Sequence, residues 1–281
     1  MEMHAFPGVH SAKALCGART HTMSRMDDHY VDYYTPLVQD FVREVENLAH
    51  PDLERVPQPH LPLFGSGYER SALRLVIIGQ DTRTWGDLRN FIVDAKKDAG
   101  SMLRTELREF RGMDFVNWGP RRQTFFGFVM MTLAALYGHA DWGIMKKRGL
   151  REILDSFGWA EGNAAELYRS YPRKLGLEEK YWRSVRNAAD RFNRVRHIIE
   201  TLKPHAILVL YKGMNTRNYF DGYKYNTVGQ VGRLTHYWLP EAKVDVFHAP
   251  HPGSMNRKEG TDRFRDKITE LFHDRELAKR F

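Results

Sequence analysis

Two short polar segments of this chain contain residue types that can carry out chemistry. Gly79, Gln80 and Asp81 follow the aliphatic residues 75–78, and residues 247–260 read FHAPHPGSMNRKEG. A carboxylate such as that of Asp81 can orient a water molecule or accept a proton, and the imidazoles of the second segment can donate hydrogen bonds. An Asp in this position can equally be a helix N-cap or a turn residue. What these residues do therefore depends on the elements that position them.

The elements around the two segments predict an α/β fold. Continuous aliphatic runs, typical of strands buried on both faces, occur at 73–79, 206–211 and 243–248, with a weaker run at 153–159. Helical apolar spacing separates them, at 87–110, 123–137 and 178–203, and a further helical pattern at 34–48 precedes the first strand. Strands that alternate with helices predict right-handed crossovers and a parallel sheet. Because both polar segments follow strands, we expect them at one edge of that sheet, where open α/β sheets bind ligands.

Composition and charge narrow the class of protein. The chain of 281 residues has 42% hydrophobic residues, a net charge of +8 and a single cysteine, Cys16. No apolar run approaches the roughly 18 residues that a membrane span needs, and one cysteine excludes an internal disulfide and an all-cysteine metal or cluster site. We expect a cytoplasmic protein that does not bind membranes. The basic charge favours a polyanionic partner, although basic residues can also be ordinary solvated surface.

The first 26 residues differ in composition from the rest of the chain. They carry scattered His, Gly, Ser and Thr and lack the apolar core of a signal peptide. We therefore predict a flexible N-terminal extension at 1–26 and a single α/β domain at 27–281.

Gly-Gln-Asp after the first strand and His-Pro-Gly-Ser after the last, in this order, resemble the two signature motifs of the uracil-DNA glycosylase superfamily. The resemblance covers the order of elements from about residue 70 to residue 272, while literal identity is limited to the short motifs. It implies a three-layer αβα sandwich with a central, mostly parallel four-stranded sheet. It also implies a monomeric enzyme that acts on DNA without a cofactor or metal, since the single cysteine excludes the iron–sulfur branches.

The resemblance assigns roles to individual residues. Asp81 matches the family residue that positions or activates the attacking water, and His251 matches the residue that hydrogen-bonds the base carbonyl as negative charge develops. His248 is the alternative to His251, and we expect it to be a packing or supporting residue. Gln80 is expected to bind the base, and Asn163 to read the base edge, although an Asn after Gly is also an ordinary turn or N-cap residue.

The segment after His251 is expected to contact DNA. Met255 matches the family position that enters the base stack when the nucleotide is flipped out, as apolar wedges do in other proteins. Asn256, Arg257 and Lys258 beside it would bind phosphates. Met255 can alternatively be a merely exposed loop residue.

One departure from the family pattern bears on the substrate. Thr82 and Arg83 stand where the best-known pattern has Pro and Tyr, and that Tyr closes the pocket against substituents at pyrimidine C5. Arg83 or Trp85 could therefore line a wider pocket for a modified base, although an Arg there could also hold a phosphate.

The predicted function is a monofunctional DNA glycosylase that removes a modified pyrimidine, such as hydroxymethylated or glucosylated cytosine in phage DNA. It would leave an abasic site without strand cleavage, with antiviral defence as the role. Three alternatives remain open: a uracil-excision repair glycosylase, a noncatalytic nucleic-acid-binding protein of the same fold, and an unrelated doubly wound enzyme acting on a nucleotide or nucleoside.

Overall fold

The computed structural model describes residues 24–48, 56–79, 87–113, 124–136, 157–161, 178–211, 219–252 and 261–274. The strands are β1 (Leu63–Phe64), β2 (Leu75–Gly79), β3 (Phe157–Glu161), β4 (Ala206–Leu210), β5 (Asn226–Val231), β6 (Leu234–Leu239) and β7 (Val244–Ala249). The α-helices are α1 (Arg25–Glu46), α2 (Leu88–Gly112), α3 (Thr124–Leu136), α4 (Glu179–Ala189), α5 (Val195–Leu202) and α6 (Thr261–Asp274).

The strands form one mixed sheet in the order β1-β3-β2-β4-β7-β6-β5. The central neighbours β3, β2, β4 and β7 are parallel, whereas β1, β6 and β5 pair antiparallel with their neighbours. The α/β class predicted from the sequence is confirmed. The predicted count of four strands is wrong, because β1 and the β5–β6 hairpin extend the sheet to seven strands.

The parallel strands form because their residues are apolar on both faces. Every residue of β2 and β4 is buried, as expected for strands that are covered by helices on each side. On one face, Gly158 of β3 lies against α5: a Cβ atom added at this glycine would be 3.5 Å from Leu202 of that helix, and it would also contact Val76 and Tyr68. On the opposite face, Phe247 stacks on Phe272 of α6 with ring centroids 4.3 Å apart. Helices therefore pack on both faces of the sheet.

Helix α1 begins earlier than the apolar pattern predicted from the sequence at 34–48. The Ser24 hydroxyl oxygen accepts a hydrogen bond from the Asp27 amide, and the Asp27 carboxylate accepts one from the Ser24 amide, which together form a capping box at the start of the helix. Its buried face packs against α2, α4 and α5. The Tyr34 hydroxyl donates to the backbone carbonyl of Phe192 over 3.0 Å, so this helix is fixed to the segment that precedes α5.

The predicted helix at 178–203 is interrupted. A 3₁₀ turn at Asp190–Asn193 and the extended backbone of Arg194 (φ −63°, ψ 142°) separate α4 from α5. Helix α2 also breaks once, at Asp98 (φ −164°, ψ 99°), whose carboxylate accepts a hydrogen bond from the Ser101 amide and so starts the second half. None of the helices in the described ranges has the length and apolar character needed to cross a membrane.

The β5–β6 hairpin was missed by the sequence prediction. Its strands are joined by the two residues Gly232 and Arg233, and Gly232 has φ +60°. A Gly with positive φ in the first loop position is typical of a type II′ hairpin turn. The register shifts between Thr227 and Gly229, and this irregularity obscures the alternating pattern by which a strand is recognised in a sequence.

Candidate functional site

The four parallel strands end at one edge of the sheet, at Gly79, Glu161, Leu210 and Ala249. We call this the carboxyl edge. From β2 the chain proceeds to β3 on one side of β2, and from β4 it proceeds through β5 and β6 to β7, all of which lie on the opposite side. The carboxyl ends of β2 and β4 therefore form a topological switch point, which is where open α/β sheets form a ligand crevice.

Both sequence motifs lie directly after strands that end at this edge. Gly79 is the last residue of β2, and Ala249 is the last residue of β7. One strand, β4, lies between them. Since neighbouring strands are roughly 4.8 Å apart, the ends of β2 and β7 are about 10 Å apart across the sheet. The two loops thus leave the sheet close enough to contact one nucleotide.

Of the predicted site residues, His251 is described by the structure. The others lie outside the described residues: Gln80, Asp81, Arg83, Trp85, Asn163, Met255, Asn256, Arg257 and Lys258. Their position in the chain is nevertheless informative, because Asp81 is two residues beyond the end of β2 and Asn163 is two residues beyond the end of β3.

The His251 ring lies parallel to an aromatic side chain of α3. Its centroid is 5.6 Å from that of Phe125, and the two planes differ by 8°. Phe125 is buried and in turn stacks near Trp159 of β3, with centroids 6.5 Å apart and planes 26° apart. Stacking of this kind restricts rotation of a ring about its side-chain bonds. The half-buried His251 is therefore held in a defined orientation at the carboxyl edge.

His248 makes a different type of contact. Its Nε2 donates a hydrogen bond of 2.8 Å to the backbone carbonyl of Tyr211, the residue that follows β4. Burial lowers the pKa of His248, although the bond to Tyr211 acts in the opposite direction. A neutral imidazole that connects the ends of β4 and β7 has the contacts of a supporting residue.

A polar cluster beside Tyr211 was not identified from the sequence. Burial raises the pKa of Asp190 to about 7, against the lowering effect of Arg186 and Arg194. The pKa of Tyr211 is raised, first by burial and then by the charge of Asp190. Within the described part of the chain, the buried Oδ1 of Asp190 accepts no hydrogen bond. In the sequence this Asp lies in an Arg-rich stretch, which is typical of a solvated ion-pairing surface, so its burial could not be predicted.

A buried His–Asp pair lies nearer the opposite edge of the sheet. His236 Nε2 is 2.7 Å from Asp245 Oδ1, and Asp245 is the second residue of β7. The His236 ring stacks on Phe247 at 4.4 Å. This pair connects β6 to β7 inside the core and does not contribute to the carboxyl edge. In the described ranges, no three His, Cys, Asp or Glu side chains come together to hold a metal ion.

Comparisons with known proteins give no assignment: neither a protein-family model nor a curated protein sequence matches this chain.

Proposed function

We propose that this protein is a DNA glycosylase that hydrolyses the N-glycosidic bond of a flipped pyrimidine nucleotide. The observation that carries the proposal is the strand order β2-β4-β7, since it brings the exit of the Gly-Gln-Asp loop and that of the His-Pro-Gly-Ser loop to one edge with a single strand between them. A crevice at a switch point is the usual ligand site of such a sheet. The two motifs supply a carboxylate and an imidazole, which this reaction needs on opposite sides of the breaking bond.

The carboxylate of Asp81 acts on the sugar side. As the bond between C1′ and the base nitrogen lengthens, positive charge develops on the sugar, and a nearby carboxylate stabilises it. The same carboxylate orients a water molecule, whose oxygen forms the new bond to C1′ while one of its protons passes to Asp81. The electron pair of the broken bond leaves with the base, which then takes up a proton from solvent while Asp81 releases its proton to solvent. The products are the free base and an abasic sugar with both phosphodiester bonds intact.

The imidazole of His251 acts on the base side. Negative charge on the leaving base is shared with its carbonyl oxygen, and a hydrogen-bond donor held beside that oxygen stabilises the transition state more than the ground state. The stacking of His251 on Phe125 supports this role, because a donor that is already oriented loses little freedom when the reaction occurs. A neutral imidazole is sufficient. Gln80 and Asn163 would complete the hydrogen bonds to the base.

Access to the nucleotide requires that it leave the DNA helix. Met255 would fill the space vacated in the base stack, and Asn256, Arg257 and Lys258 would bind the neighbouring phosphates. The net charge of +8 supports a polyanionic substrate over a free nucleoside.

For the substrate, we propose a modified pyrimidine, such as hydroxymethylated or glucosylated cytosine. Arg83 and Trp85 offer a planar cation and a large ring that can hydrogen-bond to and stack on a bulky substituent. Removal of such bases from invading phage DNA would be the biological role. Excision of uracil is the alternative substrate within the same mechanism.

The experiment measures the release of abasic sites from matched duplexes and from phage genomic DNAs that contain uracil, hydroxymethylcytosine or glucosylated hydroxymethylcytosine. Asp81→Asn keeps the size of the side chain and removes its charge, so we expect its rate to fall by at least about 100-fold, as for the loss of a group that acts in the transition state. Asp94→Asn is the matched control. Asp94 is an exposed residue of α2 and forms an ion pair with the exposed Lys97, so this variant makes the same chemical change at the protein surface.

The outcomes separate the alternatives. Release from glucosylated DNA but not from uracil DNA supports the modified-base substrate, and release from uracil DNA alone overturns that part of the proposal. DNA binding without release from any substrate overturns the catalytic function in favour of a noncatalytic binding protein. Strand cleavage by pure enzyme without added base would contradict the hydrolytic mechanism.

A further inference from the structure

The β5–β6 hairpin ends at the same edge of the sheet as the candidate site. β6 runs antiparallel to β7, and Thr235 pairs with His248. When this register is continued by two residues, Arg233 is level with Pro250, the residue before His251. β6 is the direct neighbour of β7, and neighbouring strands are roughly 4.8 Å apart. The hairpin tip, defined as Gly232 and Arg233, therefore lies beside the point where the His-Pro-Gly-Ser loop begins.

The outer strand of this hairpin does not contribute to the core. Most of β5 is exposed, and its Val228 keeps 46% of its surface accessible. A strand of a two-layer or three-layer fold normally buries at least one face. β5 thus extends the sheet as a two-stranded ribbon whose outer half is stabilised by pairing with β6 rather than by packing.

The two-stranded ribbon of β5 and β6 carries basic side chains and no acidic ones. From Gly222 to Pro240 the sequence contains no Asp or Glu, and its Lys and Arg residues are Lys224 and Arg233. Both are exposed. Arg233, at the tip, makes no ion pair with any residue that the structure describes, so its cation is available to an external anion. Lys224 lies at the opposite end of the ribbon, before the start of β5, and is remote from the carboxyl edge.

We propose that the hairpin tip binds the DNA backbone next to the flipped nucleotide, with Arg233 contacting a phosphate. This inference rests on the proposed function, because it takes DNA as the substrate and the carboxyl edge as the reaction site. Arginine and backbone amides of turns are common phosphate ligands, and such contacts fix the position of a protein on DNA without reading its sequence. The ribbon would hold the substrate from the β7 side of the crevice.

Binding of a fluorescent duplex with a central abasic-site analogue tests this inference, measured by anisotropy over a range of KCl concentrations. Each phosphate contact contributes about −0.9 to the slope of log K against log salt. Arg233→Ala should therefore make the slope about 0.9 less steep. Over the ten-fold range from 1 M to 0.1 M salt, a slope difference of about 0.9 corresponds to a factor of about eight, so we expect binding at 0.1 M salt to be about eight-fold weaker. Lys224→Ala removes the same charge from the same ribbon and should leave the slope unchanged.

A second measurement locates the contact directly. Arg233→Cys in a Cys16→Ser background gives a single labelling site, because Cys16 is the only cysteine of the sequence. An iron chelate attached there should cleave the DNA backbone within a few nucleotides of the abasic position. The same label at Lys224→Cys should give no cleavage at that position.

The inference and the proposed function fail in different ways. If the wild-type protein does not bind the duplex, DNA as substrate is overturned. If the wild type binds but Arg233→Ala and Lys224→Ala have the same salt slope, or if the chelate at position 233 cleaves nowhere near the abasic nucleotide, the hairpin contact alone is overturned.

Discussion

The ion pair between Asp27 and Arg111 should be one of the strongest single determinants of the stability of this protein. Arg111 Nη2 donates to Asp27 Oδ1 over 2.6 Å, and Nη1 donates to Oδ2 over 3.0 Å. The Arg111 side chain is only 12% exposed and the Asp27 side chain only 3%. The guanidinium also donates through Nε to the carbonyl of Phe64 and lies 5.0 Å from the centroid of its ring. The pair thus connects α1, α2 and β1.

The perturbation is Asp27→Asn, which keeps the shape of the side chain and leaves the buried guanidinium facing a neutral amide. Breaking a buried pair by removing one charge costs about 3–5 kcal/mol. We expect about 3 kcal/mol, at the low end, because Arg111 keeps its contacts to Phe64 and the amide can still accept one hydrogen bond. For a chain of this size, 1 kcal/mol corresponds to roughly 2–4 °C in Tm. The expected decrease is therefore about 6–12 °C.

The assay is thermal and urea unfolding, with Asp28→Asn as control because Asp28 is the exposed neighbour in the same helical turn. Burial raises the pKa of Asp27, but Arg111 and Ser24 outweigh it, so the net pKa is lowered. A carboxyl with a lowered pKa stabilises the protein above its unfolded pKa of about 4, and this contribution is lost as the pH falls through the folded pKa. The difference between wild type and Asp27→Asn should therefore shrink below pH of about 4. Equal Tm values for the two Asn variants at neutral pH would refute the reasoning.

Two further predictions concern the carboxyl edge. Phe125→Leu removes the ring on which His251 stacks, an interaction worth about 0.5–1.5 kcal/mol. The rate of base release should therefore fall by about 2- to 12-fold while the affinity for DNA is unchanged. A loss of DNA affinity as large as the loss of rate would contradict a positioning role for Phe125. Asp190→Asn should stabilise the protein at alkaline pH, because a carboxyl whose folded pKa is raised to about 7 makes the wild type less stable as the pH rises from about 4 to about 7. Three pKa units correspond to roughly 4 kcal/mol, and we expect about half of that at pH 8, since only Oδ1 is fully buried while the residue as a whole keeps part of its surface accessible to solvent. Urea unfolding gives the free energy of unfolding of wild type and variant at pH 4 and at pH 8. If the two proteins differ in this free energy by the same amount at both pH values, the raised pKa of Asp190 is refuted.

The sequence predicted β2, β4 and β7 to within two residues because these strands are buried on both faces, whereas β3 begins four residues later than the weaker run at 153–159. A strand such as β4, with the sequence AILVL, needs no alternation to be recognised, since a short aliphatic run between polar residues has few other structures available. The hairpin at β5 and β6 has no comparable signal. Most of β5 is exposed and its register is irregular, so neither continuous hydrophobicity nor period-two alternation marks it. Only the Gly232 turn could have indicated it.

The sequence predicted where the candidate site lies but not the contacts of its side chains. That two loops meet at one edge follows from parallel strands, and the strand order agrees with it. The stacking of His251 on Phe125 was not predictable, because Phe125 lies in an apolar stretch of α3 where every residue could be core. The burial of Asp190 could not be foreseen either, since charge patterning treats an Asp among arginines as solvated surface. Roles in catalysis came only from the family resemblance.

The packing of α1 has a consequence for how the chain folds during synthesis. This helix leaves the ribosome well before one of its packing partners, α5, which ends about 150 residues later, at Leu202. At roughly 5–20 residues per second, the apolar face of α1 stays without its final partner for about 8–30 s. Contacts of such large sequence separation also slow folding. The same helix that the Asp27–Arg111 pair fixes in the finished protein is therefore exposed to aggregation and to chaperone binding until the sheet is complete.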